Sequence, residues 1–356
     1  MKRTLKHIYA TLALAAGVLT SGCDVHEWPE LEYGEVAFVL NLNFDTALPL
    51  HRTVNHTRSE EISRVSPSDC DIRYIVSVYP AGETRSTRSA ERRYVFTKPY
   101  SGDLDYTATL ALDEGDWEIY AWADYVDAGN SIDKHYDTSD FGNIVYSDKE
   151  SYSGSNDCQD AFRGRTSVTV IHPDRFLENE TLPSYEATVP MMRPLGRFEF
   201  IATDVEAFLT RVAAVRSQST HAAGPADTRN IDVSEFRVVF RYNAFMPYAF
   251  NIFTDLPSDS WTGMWFDSSM ALRSEAEMLM GFDYVLVNDA DGTVMNLDVE
   301  IYDVDGTLLS ITRGVEVPVV RSKLTIVKGE FLTSTGSGGV TVNPGFEGPD
   351  YNLEIQ

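Results

Sequence analysis

Apolar residues recur at every second position in short segments along much of the chain, and this period limits the possible folds more than any other feature. The first segment spans residues 36–44, where the apolar set is Val36, Phe38, Leu40, Leu42 and Phe44. Similar segments follow near 72–78, 106–112, 117–122 and 168–171. A period of two is typical of a strand with one buried face. We therefore predict an all-β fold.

The second half continues this pattern, with one interruption of helical spacing. After the N-cap candidates Thr203 and Asp204 come Val205, Phe208, Leu209, Val212 and Ala213. This spacing predicts one short helix. The pairs Asp291-Gly292 and Asp305-Gly306 favour hairpin turns between the later strands. Because a chain of 356 residues exceeds what one core usually serves, we expect two β-sandwich domains, 35–190 and 191–356.

The chain begins with a short basic and apolar segment that ends in small residues and a cysteine. Lys2, Arg3 and Lys6 precede an apolar run that leads to Ser21-Gly22-Cys23. Such a run is too short to span a membrane and is typical of a cleaved export signal. We predict a lipoprotein signal peptide over 1–22, a lipid on Cys23 and an acidic tether over 23–34. The alternative is an ordinary secretory signal.

The charge of the chain excludes one class of function. Removal of residues 1–22 takes away three positive charges, so the formal net charge moves from −25 to −28. Among the basic residues, only the Arg92-Arg93 pair forms a short cluster. Nucleic-acid binding requires a basic surface, so we do not expect a nucleic-acid partner.

Two long polar stretches interrupt the strands. Residues 45–69 form a long connection after the first strand, and residues 126–165, rich in Asp, Ser, Gly and Asn, favour a long surface excursion. The excursion contains four possible metal ligands, which are Asp133, His135, Asp137 and Asp140. A solvated acidic loop is the commoner reason for such a group, and we predict no metal site.

Two cysteines remain besides Cys23. Cys70 and Cys158 lie 88 residues apart in the first half of the chain. In an oxidising compartment they could pair as a disulfide, and the alternative is two buried thiols. Since the chain has no CxxC pair, the sequence gives no basis for a zinc site.

No catalytic or cofactor motif is present. The chain lacks the GxSxG serine motif, the phosphate-binding loop and the strand-coupled GxGxxG motif, so we predict neither an enzyme nor a cofactor. The aromatic segment 261–266 leaves a binding role open. Trp261 and Trp265 could stack on sugar rings, or they could belong to a buried edge.

Three segments together resemble fimbrillin-like lipoproteins of Bacteroidales. Residues 110–125 (LALDEGDWEIYAWADY) resemble a strand-turn-strand of that superfamily, and residues 193–200 (RPLGRFEF) resemble the opening of its second domain. Residues 317–333 resemble the strand pair that closes this domain. The resemblance is greatest to an uncharacterised branch, and it covers most of the mature chain.

The resemblance implies two transthyretin-like Greek-key β-sandwich domains in a structural or adhesive protein, anchored by lipid to the outer membrane at the cell surface. In polymerising members a protease cuts after an arginine, the first strand leaves, and a strand of the next subunit takes its place. Here the removable strand would be 36–44, the donor would be 352–355, and the cut would follow one arginine of the first connection. The candidates are Arg52, Arg58 and Arg64.

Two alternatives stay open beside that interpretation. The first strand could remain in place, with the arginines as ordinary loop residues and the protein as an anchor or accessory component. The protein could instead be a glycan-binding lipoprotein of a nutrient-uptake system that uses Trp261 and Trp265.

Overall fold

The computed structural model describes residues 31–32, 34–45, 69–82, 90–147, 150, 152–175, 184–220, 228, 231–288, 292–334 and 350–354. The strands in chain order are β1 (Glu35–Phe44), β2 (Cys70–Pro80), β3 (Arg92–Pro99), β4 (Tyr106–Asp113), β5 (Gly115–Asp127), β6 (Tyr136–Asp137), β7 (Ile144–Tyr146), β8 (Ala161–Val170), β9 (Glu186–Met191), β10 (Leu195–Ala202), β11 (Arg237–Tyr242), β12 (Met246–Asn251), β13 (Leu256–Trp261), β14 (Trp265–Ser269), β15 (Ala271–Leu272), β16 (Met278–Leu286), β17 (Thr293–Tyr302), β18 (Leu308–Val319), β19 (Leu324–Gly329) and β20 (Asp350–Glu354). One α-helix, α1 (Val205–Thr220), and 3-10 turns at Asp157–Gln159, Pro173–Arg175 and Val233–Glu235 complete the described elements.

The first half of the chain folds into a sandwich of two sheets. Sheet 1 has the order β4-β1-β9 and sheet 2 the order β3-β2-β5-β8. The predicted first strand is confirmed, since β1 alternates strictly between buried and more exposed residues. Its apolar side chains pack against those of β2 and β5, including Tyr74, Val76 and Ile119. The period of two in the sequence thus specifies both the strand and the face that it buries.

The second half forms another sandwich. Sheet 3 has the order β15-β16-β10-β19-β20, and sheet 4 has the order β14-β11-β17-β18. Their inner faces meet around Phe200 and Phe240, whose ring centroids are 5.2 Å apart. The helix α1 buries Phe208 against Phe236 at 5.1 Å, as its spacing predicts. The predicted all-β fold of two sandwiches, with one helix in the second, is confirmed for the described residues.

A fifth sheet, the joint sheet, combines strands of both halves in the order β13-β12-β7-β6. Its central pairing joins Val145 to Ala249 and Ile144 to Phe250. The predicted surface excursion over 126–165 is therefore wrong for β6, β7 and residues 154–164, whereas residues 127–134 are largely exposed, as predicted. The polar composition misleads because its tyrosines bury their rings and satisfy their hydroxyls, as Tyr136 does by donating to the Gln159 carbonyl at 2.5 Å.

The tryptophans of β5 show how the two sandwiches meet. Trp117 lies in the core of the first sandwich, and Trp122, on the opposite face of the same strand, packs into the core of the second. Both faces of sheet 2 are thus covered, one by sheet 1 and the other by the second half. The predicted boundary near residue 190 stays a prediction, and the joint sheet contains residues from both sides of it.

The two predicted hairpin turns have different outcomes. Asp305-Gly306 does connect the paired strands β17 and β18, and Gly306 adopts a φ of 82° that favours glycine. The hairpin at Asp291-Gly292 is wrong, because β16 belongs to sheet 3 and β17 to sheet 4. A turn signal specifies a change of direction, whereas the partner of each strand depends on long-range packing.

Candidate functional site

The most distinctive candidate site is the position that β1 occupies at the centre of sheet 1. β1 pairs antiparallel with β4 on one side and parallel with β9 on the other. Its five inward side chains are at most 6% exposed, and they are Val36, Phe38, Leu40, Leu42 and Phe44. The strands β4 and β9 therefore form the walls of an apolar groove that β1 fills. We call this the β1 groove.

The apolar contacts of β1 are strong enough to hold the strand without a covalent link. Burial of five such side chains contributes about 7–15 kcal/mol at roughly 1.5–3 kcal/mol each, as an upper estimate. This upper estimate is comparable to the whole stability of a typical domain, about 5–15 kcal/mol. We therefore expect β1 to stay in the groove after a cut in the connection that follows it, until another strand replaces it.

The ends of β1 are held by charged groups. Arg92 of β3 forms ion pairs with Glu35 and with Asp113, the latter at 2.8 Å. The backbone N–H of Glu32, together with Arg92, lowers the pKa of the Glu35 carboxyl, which burial alone would raise. At the other end, the Phe44 amide donates to the Asp105 carboxylate at 3.0 Å.

Several sequence-predicted residues lie outside the described part of the chain. These are Cys23 with the signal peptide, and the candidate cleavage residues Arg52, Arg58 and Arg64. Lipidation and cleavage stay predictions. The predicted donor segment lies partly within the described residues, where β20 pairs in parallel with β19 of its own chain from Asp350 to Glu354.

Residues 152–160 form a second notable feature, which we call the strap because this segment of the first half lies against the second sandwich. The Ser155 amide donates to the Phe282 carbonyl at 2.7 Å, and the Phe282 amide donates to the Ser155 hydroxyl at 3.2 Å. A Cβ on Gly154 would lie 2.4 Å from the Phe266 ring. The strap thus covers a free stretch of β16, and only glycine fits at residue 154.

Two buried ion pairs connect the strap to the start of the second sandwich. Arg193 pairs with Asp160 at 2.8 Å, and Arg197 pairs with Asp157 at 2.7 Å. Burial by itself lowers the pKa of the Arg193 guanidinium, but the facing Asp160 carboxylate more than offsets this and the pKa is raised. The arginines of the 193–200 segment therefore join the two sandwiches, a role that their spacing in the sequence does not reveal.

A buried carboxyl lies under the strap. Asp283 of β16 accepts hydrogen bonds from the hydroxyls of Tyr152 and Tyr242 at 2.6 and 2.5 Å. Burial raises the pKa of Asp283 to about 7, although these hydroxyls, the Tyr284 amide and Arg197 all act to lower it. Its partners are uncharged phenols in a closed site, so the geometry indicates a structural group.

The two candidate sugar-stacking tryptophans lie in different sheets. Trp261 ends β13 of the joint sheet and stacks on Tyr248, with ring centroids 4.0 Å apart and an interplanar angle of 7°. Trp265 begins β14 at the edge of sheet 4 and is 47% exposed, with the Arg241 guanidinium 5.7 Å from its ring centroid. Of the two, Trp265 presents the larger open surface.

The acidic residues of the 133–140 segment, for which we predict no metal site, are engaged in structural contacts. Asp133 accepts from Arg73 at 2.6 Å and from the Thr138 hydroxyl at 2.8 Å. Asp137 and Asp140 accept backbone N–H groups two residues further on, at 2.9 and 2.7 Å. Among the described residues, no group of three His, Cys, Asp or Glu side chains is placed to hold a metal ion.

The two cysteines meet in space. The Sγ atoms of Cys70 and Cys158 are 2.8 Å apart in a buried position between sheet 2 and the strap. Their pairing as a disulfide stays a prediction, to which we return below.

The described residues form two β-sandwiches with one helix, and this architecture is that of an all-β protein. Residues 34–356 match the model of a family of unknown function, DUF6562, and the chain belongs to this family. A comparison with curated proteins finds no match. In the described residues, no helix is long and apolar enough to cross a membrane.

Solved structures that resemble the chain include fimbrial proteins. The fimbrial anchor protein Mfa2 from Porphyromonas gingivalis is 10% identical, with a TM-score of 0.36, over 78% of this chain and 82% of that one. The tip fimbrial protein Mfa3 from the same organism is 11% identical, with a TM-score of 0.37, over 80% and 81%. A fimbrial assembly protein from Parabacteroides distasonis is 12% identical, with a TM-score of 0.33, over 83% and 91%.

Proposed function

We propose that the protein is a lipid-anchored structural or adhesive component of the cell surface, of fimbrillin type and without catalysis. The observation that carries the proposal is the β1 groove, because a central strand flanked by two others offers main-chain partners on both sides and five apolar positions on one face. If β1 left this position, the edges of β4 and β9 would be exposed, and a strand of another subunit could add to them.

Two forms of this function differ in the fate of β1. In a polymerising subunit, a cut after Arg52, Arg58 or Arg64 would free β1 from the rest of the chain, and a strand from another subunit would replace it. In an anchor or accessory component, β1 stays in the groove and the lipid on Cys23 holds the protein at the outer membrane. The strong apolar contacts of β1 favour the second form in the absence of a partner strand.

The pairing of the C-terminal strand β20 also favours the form in which no strand exchange takes place. β20 pairs along β19 at the edge of sheet 3, so it occupies an edge of its own chain. To serve as a donor it would first have to leave this edge. A strand addition that uses residues 352–355 therefore exchanges one set of main-chain hydrogen bonds for another.

The test is the intact mass and N-terminal sequence of the protein isolated from the envelope of its own host, together with labelling of whole cells by a membrane-impermeant amine reagent. An acylated Cys23 with surface labelling supports the anchored form. An N-terminus directly after one of the three arginines, with an SDS-resistant ladder of oligomers, supports the polymerising form. An unlipidated, uncleaved chain that the reagent does not label would overturn the proposal.

A glycan-binding role is the second candidate, and the exposed ring of Trp265 beside Arg241 favours it. A planar aromatic with one open face suits contact with a sugar ring. Retention on polysaccharide affinity gels that is lost in Trp265→Ala, and kept in the exposed control Val294→Ala, would support this role. Equal migration of both variants and the wild type in gels with and without polysaccharide would exclude it for the polysaccharides tested.

A further inference from the structure

Two cysteines that are far apart in the sequence form a single buried pair. Cys70 is the first residue of β2, and Cys158 lies in the Asp157–Gln159 turn of the strap. The exposed fractions are 6% and 0%, and the sulfur atoms lie 2.8 Å apart. Sulfur atoms that merely pack against each other stay considerably farther apart, so each side chain is directed at the other. We infer that Cys70 and Cys158 form a disulfide in an oxidising compartment, and that this bond locks the strap to sheet 2.

The surroundings favour a bond between the two sulfurs over other uses of the thiols. Both cysteines belong to the apolar core of the first sandwich, beside residues such as Ile72 and Phe162. The carboxylate that precedes Cys158 in the sequence, Asp157, is paired with Arg197. No third metal-ligating side chain joins the pair among the described residues.

The chemistry needs an external disulfide as oxidant, supplied by a thiol–disulfide oxidoreductase or a small-molecule disulfide. Hydrogen bonding from the Cys158 S–H lowers the pKa of Cys70, against the effect of burial, so Cys70 is the attacking thiolate. Its sulfur attacks the oxidant, forms a mixed disulfide and releases one thiol. Cys158 then loses its proton and attacks Cys70 Sγ, which releases the second thiol. The protein loses two electrons and two protons, and the oxidant disulfide gains them.

The position of the bond gives it a role beyond general stabilisation. On one side of Cys158, Asp157 pairs with Arg197, and just beyond it Asp160 pairs with Arg193, so this turn is one of the places where the two sandwiches are joined. A disulfide at Cys158 would connect this junction covalently to sheet 2. Since it also closes a span of 88 residues, it restricts the unfolded chain strongly.

Peptide mapping of the full chain from the host envelope tests the inference directly. Cells are treated with N-ethylmaleimide before lysis, and the protein is digested with trypsin without reductant. Cleavage after Arg64, Arg73, Lys149 and Arg163 gives peptides 65–73 and 150–163, each with one cysteine and neither with Cys23. The expected result is a single linked species that separates into these two peptides on reduction. Both peptides carrying the maleimide, with no linked species, would overturn the inference.

Thermal unfolding with and without reductant measures the consequence. In the wild type, reduction is expected to lower the Tm by about 7 °C, from a loop-closure contribution of about 4.6 kcal/mol and an unfolding entropy of about 0.7 kcal/mol per degree. Cys70→Ser and Cys158→Ser should have the lowered Tm already and should not respond to reductant. If a variant fails to fold, the wild type still tests the inference. An unchanged Tm after reduction of the linked chain would show that the disulfide does not stabilise the attachment of the strap to sheet 2.

Discussion

Replacement of Asp283 by asparagine is expected to remove a pH-dependent loss of stability. The Asp283 pKa is about 7 in the folded protein, against an ordinary value of 3.8. Between these values the folded chain holds a proton that the unfolded chain has released, so the free energy of unfolding falls as the pH rises. Above pH 7 this cost is fully present, and below the ordinary pKa it is absent.

The size of the effect follows from the two pKa values. The slope approaches about 1.4 kcal/mol per pH unit, and from pH 5 to pH 8 the loss amounts to about 2.5 kcal/mol, because titration is nearly complete at pH 8. Burial lowers the pKa of His135 to about 4, and this group acts in the opposite direction below pH 6.5. The free energy of unfolding of the wild type therefore changes less with pH than Asp283 alone would predict. The effect of Asp283 is isolated by the difference in this free energy between the wild type and Asp283→Asn.

Urea denaturation of both proteins at pH 5, 6, 7 and 8 measures this difference. Asparagine keeps a side-chain oxygen that accepts from Tyr152 and Tyr242 and has no titrating proton. The free energy of unfolding of the variant, relative to that of the wild type, should therefore be lower at pH 5 than at pH 8. The expected change in this difference is about 2.5 kcal/mol. A difference that stays constant across the range would show that Asp283 is ionised throughout and would refute the reasoning.

Three further predictions concern the groove, the ion pairs and the strap. Leu40→Ala should destabilise the protein by about 2–5 kcal/mol in urea, and Val39→Ala, on the outer face of β1, by less than half as much. Arg193→Met should cost about 3–5 kcal/mol by leaving a buried carboxylate unpaired, and adding Asp160→Asn should restore part of this in a double-mutant cycle. Gly154→Ala should destabilise by about 1–3 kcal/mol and speed amide exchange in the strap; unchanged exchange would contradict the close packing there.

The strands that bury one face could be predicted from the sequence. The pattern over 36–44 predicts β1 within one residue of its observed bounds, Glu35–Phe44, because the period of two reports the burial of alternate side chains directly. The same rule places Trp117 and Trp122 on opposite faces of β5. It could not show that both faces are covered, since the partner of the second face comes from the other half of the chain.

Elements that depend on partners far along the chain could not be predicted from the period of apolar residues. β6 and β7 have two and three residues, too short for any period to be detected, and they exist because β12 pairs with β7. The strap contains polar residues whose burial is favourable only with the facing arginines in place. For the candidate site, the sequence located β1. The walls of its groove, β4 and β9, depend on pairing with segments far along the chain, such as Leu42 with Tyr106 and Val39 with Glu186.

The joint sheet also imposes an order on the making of the protein. A chain grows and emerges from its N-terminus, so β6, β7 and the strap are complete long before β12 and β16, which pair with β7 or accept the strap. Throughout that interval the face of sheet 2 that carries Tyr120 and Trp122 lacks the cover that the second half provides. Each newly made molecule therefore passes through a stage with an open aromatic face, and it is at this stage that association with a second unfinished chain competes with correct folding.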